Sequence, residues 1–184
     1  MKEPKSTGYF LTVNVFKKES LAVLGNTRIQ ATIGSQKSQS NSSSYNEVNQ
    51  ASNITTNKNS RVTSVEADLS LDTNARNGYQ QRVSGRKDRL DDDYGGHLIA
   101  SMFGGPGEGI NIVAINAKFN GSSGEWYKME RVWQKALDSN KSVKVKIEPI
   151  YSGNSKRPDS FDITQVIGNK TSDKINLKNT ETGK

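Results

Sequence analysis

From Ser35 to Asn59 the chain offers a core almost nothing. Serine, asparagine and glutamine dominate, with the run Ser40-Asn41-Ser42-Ser43-Ser44 inside the stretch. Such a segment cannot bury enough apolar surface to offset the entropy of ordering it. The sequence therefore predicts three parts: a strand-rich segment over 1–34, a Ser/Asn-rich linker over 35–60, and one domain over 61–184. In the first part Leu11, Val13 and Val15 alternate with polar neighbours, as do Ile29, Ala31 and Ile33, and residues 21–24 are a further strand candidate. A hydrophobic share of 32% and a mean hydropathy of −0.77 fit a chain that is not packed throughout.

Beyond residue 60 the patterning tightens. Val65, Ala67, Leu69 and Leu71 alternate, predicting a strand with one buried face. Residues 77–93 are polar and charged, residues 104–107 form a Gly-Gly-Pro-Gly turn, and 110–115 is a second strand candidate. The clearest helix spans about 123–138. Its apolar face carries Trp126, Met129, Trp133, Ala136 and Leu137, and Ser122 with Glu125 fits a capping box. Val143, Val145 and Ile147, then Phe161, Ile163 and Val166, predict two more strands, and 171–184 reads as a tail. Strands around one main helix make the fold class α+β.

The residues that are missing restrict the chemistry. There is no cysteine and one histidine, which excludes disulfides, a thiol nucleophile and thiolate or multi-histidine zinc sites. A catalytic metal would sit mainly on oxygen ligands, as Mg²⁺, Mn²⁺ or Ca²⁺ do. A net charge of +7 and an isoelectric point near 9.5 favour polyanionic partners, nucleic acid or an anionic membrane surface. No apolar run reaches the length of a membrane span, so no membrane insertion is expected from this segment. The opening Met1-Lys2-Glu3-Pro4-Lys5 is not followed by an apolar core of signal-peptide length.

Three residues stand out as candidates for chemistry. His97 ends the run Asp91-Asp92-Asp93-Tyr94-Gly95-Gly96-His97, where paired glycines allow close backbone approach. Alone it reads as a surface or core histidine beside a turn. Asn120 lies just before the main helix, where an amide oxygen can ligate a hard cation or simply close a loop. Glu130 falls on the apolar helix face with Trp126 and Trp133, where a carboxylate needs a cation, a metal or a strong donor; an arginine such as Arg131 or Arg86 would serve.

Taken together, Gly96-His97, Asn111, Asn120 and the helix carrying Trp126 and Glu130 resemble the DNA/RNA non-specific endonuclease family, of the ββα-metal nuclease fold. The run Asp92-Asp93-Tyr94-Gly95-Gly96-His97-Leu98-Ile99-Ala100, then Phe103-Gly104-Gly105, Asn111-Ile112-Val113, Asn116-Ala117, Asn120 and Gly124 to Glu130, is similar to nuclease toxin domains exported by type VII secretion in Gram-positive bacteria. The resemblance extends loosely over 62–184 and is specific over 92–130. It implies a ββα core of antiparallel strands and one main helix. It implies His97 as general base, Asn120 as ligand of Mg²⁺ (with Mn²⁺ as a substitute) and Glu130 holding metal-bound water. It also implies an enzyme that cuts DNA, with RNA left open, gripping backbone phosphates with little sequence preference. Further implied are a secreted antibacterial effector acting in the cytoplasm of a target bacterium, and a cognate immunity protein as partner.

The sequence departs from the family in one place. Better-studied members carry Asp-Arg-Gly-His, and here Tyr94-Gly95-Gly96-His97 leaves out that arginine. Arg86, Arg89 and Arg131 are the candidates to bind the phosphate instead. Lys144 and Lys146, on one face of a predicted strand with Lys141 before it, could add backbone grip or merely solvate that face. Two other readings fit the composition: a non-catalytic nucleic-acid-binding module, which leaves the Gly-Gly-His and Asn pairing unexplained, and a secreted protein-interaction domain.

Overall fold

The computed structural model describes residues 52–184 and, before them, the backbone of two short strands, β1 (Leu11–Asn14) and β2 (Ile29–Thr32), which pair in parallel. The strand candidate at 21–24 and most of the expected linker lie outside the described residues. The end of that linker is strand: β3 (Ser52–Thr56) pairs antiparallel with β4 (Val62–Asp68) and buries Ile54.

The main sheet continues through β7 (Val143–Ile150) and β8 (Ser160–Ile167) to β10 (Ile175–Lys178). The two-residue β9 (Lys170–Thr171) folds back on β8. Strand order is β10-β8-β7-β4-β3, every neighbouring pair antiparallel. Alternation decides which face is buried. Val65 and Ala67 of β4, Val143, Val145 and Ile147 of β7, and Phe161 and Ile163 of β8 all enter the core. The intervening lysines stay outside and are spoken for: Lys144 pairs with Asp68 at 3.3 Å, and Lys146 with Glu148 at 3.1 Å and Glu66 at 3.6 Å. The pairs with Asp68 and Glu66 cross to β4 and the one with Glu148 lies within β7, all on a solvated face, the blander of the two expectations for these residues.

The main helix, α3 (Glu125–Asp138), covers the apolar face with Trp126, Trp133 and Ala136. Trp126 meets Phe161 edge-on at 4.8 Å between ring centroids, and Trp133 meets Phe103 at 6.1 Å. Each large side chain fully buried here adds about 1.5–3 kcal/mol of transfer free energy. The capping box does not form. Gly124 is the N-cap, with no side-chain cap bond, and Glu125 instead binds Lys128 at 2.7 Å. A Cβ at position 124 would stand 1.9 Å from the Phe119 carbonyl oxygen, so the entry to the helix is set by tight backbone packing rather than by a serine cap.

The expected tail is also structured. Besides β9 and β10 it carries Asn179, 2% exposed, whose side chain accepts from the Asn116 N–H (2.8 Å) and donates to the carbonyls of Ala114 (3.0 Å) and Pro158 (2.8 Å). It thereby laces the chain's last described segment to the small hairpin that follows.

Candidate active site

That hairpin joins β5 (Asp93–His97) to β6 (Ile112–Asn116), antiparallel, with His97 opposite Ile112 and Gly96 opposite Val113. Between the strands the chain is clamped by Asn111, which is fully buried. Its amide nitrogen donates to the carbonyls of Ile99 and Pro106, and its oxygen accepts from the Ile99 N–H, all at 2.9 Å. The segment immediately after His97 is fixed by these bonds. Asn111 belongs to the site as scaffold.

The two glycines before His97 have different reasons to lack a side chain. A Cβ on Gly95 would stand 2.2 Å from the Gln81 carbonyl oxygen, because a short helix, α1 (Gly78–Val83), lies directly on the strand there. Gln81 Nε2 also donates to the Gly95 carbonyl at 3.0 Å. An arginine at this place has no room, which accounts for the departure from the family pattern. A Cβ on Gly96 would meet Ile115 Cγ2 at 2.2 Å and Asn120 Nδ2 at 3.3 Å. The Asn120 amide therefore stands beside the residue that precedes His97.

Asn120 is held there by a chain of local contacts. Asn116, ending β6, caps α2 (Ala117–Asn120): its side-chain oxygen accepts from the N–H groups of Lys118 (3.0 Å) and Phe119 (3.2 Å). Phe119, fully buried, packs edge-on to Trp126 at 5.8 Å and stacks on Phe161 at 6.2 Å. Among the described residues the Asn120 amide itself has no hydrogen-bond partner.

His97 is 8% exposed. Nε2 is fully enclosed and has no partner among the described residues, whereas Nδ1 is not enclosed in this way. The ring is thus nearly shut in, and solvent reaches it at one nitrogen. Burial, and to a lesser degree the charge of Arg76, holds its pKa below the ordinary imidazole value. The neutral ring is the stable form at neutral pH.

Glu130 accepts a hydrogen bond from Trp126 Nε1 at 3.1 Å, one turn back along α3. Burial pushes its carboxyl up to about 7, against the opposing pull of that N–H and of Arg76. Arg131 and Arg86 take no part; Arg131 turns outward to Gln134. A carboxyl raised from 4.5 to about 7 costs stability once ionised. The contribution is fully present below the unfolded-state pKa and is lost as pH rises through 7. Glu130→Gln is therefore expected to stabilise the metal-free fold at pH 8 by on the order of 2 kcal/mol, with little gain at pH 5. Urea unfolding at the two pH values checks this, and equal gains at both would refute it.

Arg76 is the residue that sequence reasoning missed. Its charge acts on both His97 and Glu130, so its cation lies within electrostatic reach of each. Its Nε donates to Ser101 Oγ at 3.3 Å, and the preceding turn is pinned to the same loop by the Asn74 N–H on the Ser101 carbonyl (2.9 Å) and the Asn74 amide on the Gly104 carbonyl. The three arginines expected at the phosphate have different local settings. Arg89 spends its guanidinium on the carbonyls of Asp93, Gln81 and Arg82. Arg86 lines a separate cleft. The only signal for Arg76 in the sequence was the following Asn77, whose side chain caps α1.

No group of three or more His, Asp or Glu side chains able to hold a metal exists among the described residues. An amide oxygen such as that of Asn120 suits a hard divalent cation that keeps most of its coordination for water and phosphate.

Three comparisons bear on this arrangement. The profile of the family described as DNA/RNA non-specific endonuclease matches residues 35–169. Over 113 residues, 58% of this chain, the sequence is 48% identical to the type VII secretion system protein EssD of Staphylococcus aureus, of whose length the match covers 18%. The fold is similar to NucA from Streptococcus agalactiae, in crystal structures with magnesium bound (TM-score 0.55, 18% identity, 79% of this chain and 83% of that one) and with no metal bound (TM-score 0.55, 19% identity, 74% and 78%). At those identities the likeness is one of fold: an antiparallel α+β arrangement with one main helix. The family profile, spanning well over half of the residues, settles the assignment: this chain belongs to the DNA/RNA non-specific endonucleases and is a nucleic-acid phosphodiester hydrolase.

Proposed function

We propose that this chain is a metal-dependent endonuclease cutting DNA, with RNA as a second substrate, in which His97 is the general base. The observation that carries this reading is the packing of the Asn120 amide against Gly96, next to a histidine kept neutral by burial. Neutral His97 takes a proton from water through Nδ1. The water oxygen attacks phosphorus, and the bond to the 3′ oxygen breaks, leaving a 5′-phosphate. Arg76, held by Ser101, donates to the non-bridging oxygens as charge builds on them. Asn120 would hold Mg²⁺, for which Mn²⁺ can stand in, and Glu130 would position water around it. When bound, the cation would offset the charge developing on the phosphate and the leaving oxygen. Gripping phosphates rather than bases accounts for low sequence preference.

The likeness to EssD supports a wider reading: a secreted effector domain that acts as a toxin in the cytoplasm of a target bacterium, paired with an immunity protein. A net charge of +7 makes an acidic inhibitor the natural complement.

The test is digestion of supercoiled plasmid and of RNA with Mg²⁺ or EDTA between pH 5 and 8. Cleavage is expected only with the metal. The folded pKa of His97 lies below about 6.5, so the rate should hold level down to that pH and fall beneath it as the ring takes a proton. Cleavage that persists in EDTA, or an acid limb centred above 7, would contradict the assignment.

A further inference from the structure

A second basic site lies beside the hairpin. A cleft of about 210 Å³ is walled by Arg61, Arg86 and Lys156, with Gln80, Ile112 and Tyr151 among the remaining residues, and none of its lining residues is acidic. Among the described residues these three cations enter no ion pair. That differs from the outer sheet face, where each lysine of β7 is matched by a carboxylate.

The local structure holds the charges in place. Arg61 donates through Nη1 to the carbonyls of Gly153 (2.8 Å) and Ser155 (3.1 Å) and lies over the Tyr151 ring at 4.9 Å, with its Nε buried and unpartnered. The Lys156 N–H donates to Asp88 Oδ2 at 2.8 Å, which fixes the loop that carries the lysine. Arg86 has a φ of 52°, following Gly85 at 73°. The left-handed region is strained for a non-glycine residue, and here it carries an arginine on the cleft wall where glycine would sit without strain.

We infer that this cleft is a second phosphate subsite, which takes a backbone phosphate of the same nucleic-acid strand away from the bond being cut. The inference rests on the reading of the chain as acting on nucleic acid. Ile112 lines the cleft and is the cross-strand partner of His97, and Gln80 lines it beside Gln81, which touches Gly95. A strand lying across the hairpin can therefore meet both places. The one aromatic ring in the lining, that of Tyr151, already carries a guanidinium over one face. What it recognises is the phosphate, without regard to sequence.

The experiment uses the full chain and its Arg86→Gly/Lys156→Ala double variant, with Arg61 left to hold its loop. Binding of a fluorescent DNA duplex is measured in EDTA over a salt series, with and without competing inorganic phosphate. Glycine suits the backbone at 86, so the melting temperature should be unchanged or higher. Affinity should fall about tenfold, and the slope of log K against log salt should become shallower by about 1. Inorganic phosphate should weaken the wild type more than the variant. Equal affinity and equal slope in the two proteins would overturn the subsite, even if the wild type cuts plasmid normally. A wild type that binds DNA with the expected difference but never cuts it would overturn the nuclease reading and leave the subsite standing.

Discussion

Replacing His97 with alanine is expected to slow plasmid cleavage by about 10³-fold while the protein stays folded. The imidazole is the only one in the chain, so no second ring can take over its proton. Its enclosed nitrogen makes no hydrogen bond among the described residues, so truncation breaks no polar network and removes packing alone. A histidine retained for packing would behave in the opposite way: stability would drop and the rate would survive. Plasmid digestion and thermal unfolding on the same preparation separate the two, and a variant that digests plasmid at the normal rate ends the assignment of a base to this position. The native ring adds a pH signature to the folded state. Because its pKa is depressed on folding, its contribution to stability is present above about pH 6.5 and is lost as pH falls through the lower folded value.

The largest expected loss of stability lies at the start of the hairpin. Arg157 grips Asp93 with two bonds, Nε to Oδ2 at 2.7 Å and Nη2 to Oδ1 at 3.0 Å, and donates from Nη2 to the Asn179 carbonyl at 2.9 Å. The Asp93 side chain is wholly buried and that of Arg157 is 12% exposed. Arg157→Ala would leave an uncompensated carboxylate in the interior, at a cost of about 3–5 kcal/mol. Asp93 also accepts the Leu90 N–H and begins the strand that ends at His97, so activity should fall with the fold. Arg157→Ala/Asp93→Asn should recover a good part of the loss, since it removes the charge that was stranded. Denaturant unfolding of the single and double variants measures both numbers; a single variant within 1 kcal/mol of wild type would mean that the pair contributes little.

Much of this was readable from apolar spacing, and what was not has identifiable physical causes. The period of 3.6 in Trp126, Met129 and Trp133 marked α3, and the alternation in Val143-Val145-Ile147 marked β7, because one face of each is buried against the other. The short helix α1 escaped notice because none of its six residues is buried; it touches the core through a backbone, against Gly95. The last strand, β10, has only Ile175 and Leu177 as its inward pair, both half-buried, at the sheet edge. Asn179 and Asn111 act through hydrogen bonds from buried amides, and these leave no period to detect. For the site, the glycine pair and Asn120 were visible as a motif. Arg76 was not, because an exposed arginine in a polar stretch looks like any other until the loop around Ser101 folds against it.

The lacing of Asn179 into the hairpin reaches across 63 residues to the Asn116 N–H and 65 to the Ala114 carbonyl. During synthesis the strand bearing His97 and the turn bearing Asn120 are both made long before the amide that fastens them. A growing chain thus carries every candidate catalytic side chain for some time without the bonds that hold them in register. Proteolytic trimming just ahead of residue 179 would return a finished molecule to that same unfastened condition.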